Sequence, residues 1–172
     1  EIDLNNKSLL DIGGGLGSLY INYMDFFHKS NVNFLVLEQQ NFCLKGNELK
    51  KTFNLQVNYY ESLMNIQTID VAIFSSTLQY FENWKETINE ILAFLPEHIY
   101  IDRHPLSNKE SEIFVQLNNN YYEEKITYPI HILNQDEFLK AFKGYKLVDS
   151  WVSSFDPSYF KGFHLQKFTH SF

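Results

Sequence analysis

One cysteine, Cys43, stands alone among 172 residues. The chain therefore cannot close a disulfide within itself, and no Cys/His spacing offers a zinc site. Cys43 falls in a segment of helical character and reads as a small core residue. Runs of Lys or Arg are also missing, and the formal net charge is -7. An extended phosphate-binding surface must neutralise many phosphates, so a nucleic-acid partner is disfavoured. No apolar stretch is long enough to span a bilayer and no leader-like segment is present, which predicts a cytoplasmic protein with no membrane span. Internal repeats and low-complexity linkers are absent. The chain opens at Glu1 without a methionine, a few residues before its first strand, so an N-terminal segment is expected to be missing.

What is present describes a globular domain. Hydrophobic residues make up 44% of the chain, enough to exclude disorder, and the length suits one domain, 1–172, with a sizeable core. The most informative stretch runs from Leu9 to Ser18: Leu-Leu-Asp-Ile-Gly-Gly-Gly-Leu-Gly-Ser. Ser8 to Ile12 reads as a short buried strand, Leu19 to Phe27 as an apolar-periodic helix, and the glycines between them as a tight turn. Such a turn lets the backbone approach a ligand closely and aims the N–H groups of the following helix at it. An ordinary strand-to-helix turn is the other reading of this stretch alone.

Spacing narrows the ligand. A dinucleotide fingerprint counted from Gly13 and Gly15 needs its third glycine at position 18, which is Ser18, and a nucleoside-triphosphate loop needs a lysine that is absent. Asp11-x-Gly13-x-Gly15-x-Gly17 instead resembles motif I of the class I methyltransferases that use S-adenosyl-L-methionine. That resemblance implies a Rossmann-like α/β fold. Gly13, Gly15 and Gly17 would pass beneath the cofactor, and Asp11 would act on its amino group directly or through water.

Asn31 to Glu38 has the look of a buried parallel strand ending in an acid. Glu38, about twenty residues past the loop, is placed to accept hydrogen bonds from ribose hydroxyls; a solvated acid at a strand end is the alternative. A helix over Phe42 to Phe53 and a strand over Leu55 to Glu61 follow. By the same resemblance Glu61 and Ser62 would contact adenine. Ile69 to Ser76 is a clearer strand, and Ser76 falls where cofactor and acceptor should meet. A helix begins near Asn83 and ends at Pro96. His98 to Pro105 is a fifth strand, closing on Asp102, Arg103 and His104.

Ser107 to Tyr128 lacks a firm period and reads as part helix, part loop. Asn134 is an N-cap with Glu137 three residues on, and Gly144 a C-terminal cap. Tyr145 to Val152 and Gly162 to Phe168 then make two strands joined through Asp156-Pro157, with no helix between them, so they must pair antiparallel or leave the sheet. The expectation is a mostly parallel, seven-stranded sheet with a C-terminal antiparallel hairpin and helices on both faces. That ending disfavours an NAD-dependent oxidoreductase, whose sheet continues in parallel.

A closer resemblance lies in Ser75-Ser76-Thr77-Leu78-Gln79-Tyr80, Ile101-Asp102-Arg103-x-Pro105, an isolated Gln116 and Tyr128-Pro129. Together these are similar to a small bacterial family of methyltransferases associated with cell-surface polysaccharide biosynthesis, over nearly the whole chain from Leu9 to about Lys167. The resemblance implies O-methylation of a saccharide or saccharide-linked precursor. Other small-molecule acceptors, and a noncatalytic module that binds the cofactor, are the alternatives. If the acceptor is a hydroxyl, His104 and Asp102 are the candidate bases; His104 also reads as a strand-end histidine bonded to its surroundings. Arg103 either binds an acidic acceptor or pairs with a nearby carboxylate. His28, His98, His131, His164 and His170 have no catalytic spacing. Tyr80, Phe81, Tyr121, Tyr122 and Tyr128 either line an acceptor pocket or fill the core.

Overall fold

A computed structural model of the chain describes residues 3–27, 31–118, 126–152 and 160–168. Tyr121, Tyr122, His28, His170 and the Asp156-Pro157 connection lie outside the described residues. The first half alternates strand and helix: β1 (Ser8–Ile12), α1 (Ser18–Phe27), β2 (Asn33–Leu37), α2 (Gln40–Phe53), β3 (Val57–Tyr60), β4 (Val71–Ser75), α3 (Trp84–Leu92) and β5 (His98–Ser107). Neighbouring strands here are parallel, with Leu10 opposite both Leu35 and Ala72. Side chains alternate between the faces with the strand period of two. Leu10, Ile12, Phe74, Ile99 and Ile101 pack with Ile88 and Ile91 of α3. Leu9, Phe34, Val36 and Val57 pack with Tyr20 of α1. Both faces of β1 are thereby covered, which is why all five of its residues are buried.

The second half departs from the expectation. The described part of residues 107–128 is not part helix and part loop; it contains β6 (Glu112–Asn118), which pairs antiparallel with β7 (Ile126–Asn134) from Glu112 opposite Ile132 to Asn118 opposite Ile126. Ile113, Phe114 and Val115 have strand propensity, but no local pattern sets them apart from the polar residues that follow. Only the partner strand makes them a ladder. The hairpin raises the strand count among the described residues to nine rather than seven; seven follow the order β3-β2-β1-β4-β5-β7-β6, and the last two strands join through β5 off this path.

β8 (Tyr145–Val152) and β9 (Phe160–Lys167) form the expected antiparallel pair, and β9 also lies antiparallel against β5. α4 (Gln135–Lys140) is capped by Asn134, whose Oδ1 accepts the Glu137 N–H at 3.0 Å. It ends at Ala141 rather than at Gly144, which takes φ +84 in the turn that leads into β8. Phe138 and Phe142 around α4 join the core beneath β5. The carboxyl ends of β1 to β5 thus share one edge, where ligands bind in open α/β sheets.

Candidate active site

At the end of β1 the backbone turns through Gly13, Gly15 and Gly17, all with positive φ. At Gly13 nothing larger fits. Its φ is +70, and a Cβ there would collide with the methyl of Thr77. Thr77 cannot easily move, because its buried hydroxyl donates to the carbonyls of Ile12 at 2.9 Å and Ser75 at 3.0 Å, clipping the end of β1 to that of β4. Tyr59 of β3 holds the far side of the loop, donating from its hydroxyl to the Leu16 carbonyl at 2.7 Å.

The Glu38 carboxylate faces this loop. One oxygen accepts the Gly15 N–H at 3.1 Å and the other the Gln39 N–H at 2.7 Å. Asp11 lies beneath, only 3% exposed. Burial, with a smaller contribution from Glu38, pushes its carboxyl up to about 7, while Arg103 opposes the shift. Gly14 is a residue that sequence reasoning missed: a Cβ on it would run into the Asp11 carboxylate. The available signal was an unbroken run of glycines where the motif asks only for alternate ones.

A cavity of about 920 Å³ opens over the strand ends. From β3 across to β4 its wall includes Glu61 and Ser62, then Glu38, then Gly13, then Ser76. Asp11, Gly15 and Gly17 stand behind or beside this wall rather than in it. Further along, Tyr80 and Phe81 line the cavity, and Tyr80 meets the β6–β7 hairpin. Its ring packs edge-on against Tyr128 with centroids 5.4 Å apart, and its hydroxyl lies 3.5 Å from Gln116 Oε1. Among the described residues the lining side chains carry Glu38, Glu61 and Glu90 but no Lys, Arg or His. This wall is suited to neutral or cationic groups.

Asp102 and His104, the candidate bases, are not in that wall. Asp102 pairs in register with Ser75 at the end of β4. Its Oδ1 accepts the Trp151 indole N–H at 2.9 Å, and Arg103 Nε is 3.6 Å from Oδ2. Trp151 reaches it by lying over Gly162 of β9, where a Cβ would penetrate the indole. No short-range signal announces this contact between residues 49 apart. Arg103 sits at a bulge in β5 with φ +52 and donates from Nη2 to Ser75 Oγ at 2.8 Å. His104 is 1% exposed, stacked on Phe138, with Nδ1 3.0 Å from Gln79 Oε1. Burial pushes its pKa down to about 3, so it is a neutral imidazole behind the cavity. His98 and His164 face each other, 3.0 Å apart, along the β5–β9 ladder. Among the described residues, no group of three or more His, Cys, Asp or Glu could hold a metal ion, and no helix is long and apolar enough to cross a membrane.

Solved structures resemble this architecture closely. A predicted S-adenosylmethionine-dependent methyltransferase from Listeria monocytogenes superposes with a TM-score of 0.67 at 13% identity, over 98% of this chain and 93% of that one. The glycopeptide N-methyltransferase MtfA, in complex with S-adenosyl-L-methionine, follows at 0.66 and 9%, over 94% and 87%. The chain has the class I methyltransferase fold. The same fold serves other chemistry: the [4+2]-cyclase SpnF superposes at 0.64 and 12%, over 95% and 75%. No protein-family model matches the chain, and no curated protein matches it in sequence.

Proposed function

We propose that this chain is an S-adenosylmethionine-dependent methyltransferase that methylates a hydroxyl of a saccharide or saccharide-linked precursor made in the cytoplasm. The observation that carries the reading is the sequence of groups along the cavity wall: Glu61 and Ser62, Glu38, Gly13 and Ser76, from successive strand ends. These fit the parts of the cofactor in order. Glu61 and Ser62 would meet adenine and Glu38 the ribose hydroxyls. Gly13, Gly15 and Gly17 would shape the floor, with Asp11 below taking the amino group. The positive φ of Gly15 and the open space where its Cβ would stand leave room for close approach. A volume of about 920 Å³ is at the upper end of the range for small-molecule sites.

When bound, this cofactor supplies a sulfonium methyl that a nucleophile displaces directly. The protein's work is then alignment and exclusion of water. Tyr80, Gln116 and Tyr128, which belong to the residues resembling the polysaccharide-associated family, come together at the rim, and offer an aromatic face and an amide to a sugar. Asp102 is the carboxylate on offer for the hydroxyl proton, its side chain 38% exposed. His104, buried and bonded to Gln79, acts through other residues rather than on the acceptor.

Calorimetric titration with S-adenosylhomocysteine, with NAD as control, tests the cofactor. Micromolar binding of the first alone supports the reading and leads to an acceptor screen of nucleotide sugars and oligosaccharides. Binding of neither, or of NAD alone, sinks it. Cofactor binding with no acceptor methylated in a broad screen would favour a binding module, and SpnF is the observation that keeps a different reaction in view.

A further inference from the structure

A line of polar groups runs from the interior of the sheet to the cavity wall. His104 Nδ1 is 3.0 Å from Gln79 Oε1, and Gln79 Nε2 is 2.8 Å from Ser76 Oγ. Gln79 is fully buried and His104 1% exposed, whereas Ser76 lines the cavity. The direction of the bonds along this line is not free. A neutral imidazole carries one N–H, so either Nδ1 donates to Gln79 or it accepts from it. If it accepted, the proton would sit on Nε2. That atom is buried and has no hydrogen-bond partner among the described residues, and a buried N–H without an acceptor is among the rarest features of folded proteins. Nδ1 therefore donates. The Gln79 amide is then oriented with Oε1 toward His104 and Nε2 toward Ser76. Ser76 Oγ accepts from Gln79, so its own proton points away from Gln79, toward the cavity and the Tyr80 hydroxyl that also lies within its reach.

Other hydroxyls on the wall are committed differently. The Thr77 proton is held by the carbonyls of Ile12 and Ser75, that of Thr87 points to the Asn83 carbonyl at 3.4 Å, and that of Tyr80 points toward Gln116. Ser62 keeps a proton, but it lies after β3 with its oxygen accepting the Met64 N–H at 3.2 Å. Ser76 is thus the oriented donor at the β1–β4 end of the cavity. Its backbone is held at φ +57 to put it there, a conformation that a non-glycine residue adopts only where its surroundings impose it.

We infer that Gln79 and His104 are positioning residues that fix Ser76 as a hydrogen-bond donor to the carboxylate of the amino-acid part of S-adenosylmethionine. The inference rests on the cofactor reading above. Strand order supplies the placement: adenine at the β3 end and ribose at the β2 end leave the amino-acid part for the ends of β1 and β4. The chemistry supplies the need. Among the described residues no lining side chain is cationic, so the donors they offer an anionic carboxylate are oriented neutral groups. A histidine depressed to about 3 stays neutral across the working range, so acid does not reverse the line.

Two measurements test this separately. The first needs no ligand: nitrogen-15 spectra of the histidine-labelled chain, with His104 identified by the signal lost in His104→Asn. The expected result is a protonated Nδ1 and a bare Nε2, unchanged from pH 5 to 8. A proton on Nε2, or a cationic ring at pH 6, overturns the line of bonds.

The second compares S-adenosylhomocysteine with 5′-methylthioadenosine, which lacks the amino-acid part. Ser76→Gly removes the hydroxyl and relieves the positive φ, and Gln79→Leu removes the link. Each should weaken S-adenosylhomocysteine about tenfold, the usual effect of a lost bond to a charged group, and leave methylthioadenosine unchanged. His104→Asn keeps a donor where Nδ1 stood and should bind like wild type, whereas His104→Leu should behave like Gln79→Leu. Equal losses for both ligands, or His104→Asn as weak as His104→Leu, would mean a merely structural role and overturn the inference. If wild type binds neither ligand, the carboxylate assignment falls with the reading beneath it, while the spectra still judge the line of bonds.

Discussion

The two halves of this molecule are built on different principles. From β1 to α3, each strand feeds a helix or short turn and runs parallel to its neighbours; β2 and β3 each lie beside their predecessor, and β4 crosses back to lie beside β1. From β5 onward, the sheet is assembled from two antiparallel pairs of consecutive strands, β6–β7 and β8–β9, which join β5 across longer separations, β7 in parallel and β9 antiparallel. β5 meets β4 on one side, β9 on the other, and β7 at Leu106 and Ser107 beyond its bulge. The first half presents a row of strand ends in a fixed order, which is what a ligand of several dissimilar parts needs. The second half supplies a neighbour to Tyr80 at the rim, the β6–β7 hairpin, and a brace, Trp151 on Asp102.

The largest expected effect breaks the regular half at its tightest point. Gly13→Val should destabilise the fold by about 3 kcal/mol or more, since it combines a left-handed φ with an overlap against the pinned Thr77; urea denaturation measures it, and a loss under about 1 kcal/mol would mean that the clip between β1 and β4 is soft.

The halves also titrate in opposite senses. Asp11 rises from 3.8 to about 7 on folding, so its contribution to stability is complete below about pH 4 and is lost as the pH climbs through 7. His104 falls from 6.5 to about 3, so its contribution is complete above 6.5 and is lost as the pH drops toward 3. Between roughly pH 4 and 6.5 the two slopes oppose each other, each limited to about 1.4 kcal/mol per pH unit. Relative to wild type, Asp11→Asn should therefore gain stability as the pH rises through this window, and His104→Asn should lose it. Denaturation midpoints of the three proteins at pH 4, 5, 6 and 7 provide the check, and parallel curves would show that neither group is shifted.

A smaller effect separates the halves by ligand. Glu38→Ala should weaken S-adenosylhomocysteine by about 1–3 kcal/mol if it bridges both ribose hydroxyls, because polar ligand groups lose their partner. No loss in calorimetry would sink that assignment. In the irregular half, Trp151→Phe keeps the ring over Gly162 but removes the indole N–H from Asp102. We expect a stability loss of about 1–2 kcal/mol from that charge-assisted bond, with affinity for S-adenosylhomocysteine unchanged. A parallel loss of affinity would mean that the brace on β5 also shapes the cofactor side.

How far each half could be read in the sequence follows from the same contrast. The strands from β1 to β5 announce themselves by apolar runs, and their polar ends mark Asp11, Glu38, Glu61 and Ser76 by position alone. Asn134 and Glu137 announce the start of α4, because capping is decided within one turn. β6 carries no such mark: Ile113, Phe114 and Val115 become a strand only opposite Ile132 to Ile126, across a separation that local patterns do not span.

The sequence by itself determined the strand–glycine turn–helix opening, the succession of parallel strands and the antiparallel ending, because backbone conformation and strand period are set by neighbouring residues. Tertiary structure alone decided that the described residues form nine strands rather than seven, that Gly162 makes room for Trp151, and that His104 faces Gln79 instead of the cavity. Those outcomes depend on which surfaces are buried together and on which buried polar atoms can find partners, and both are settled only when distant parts of the chain meet.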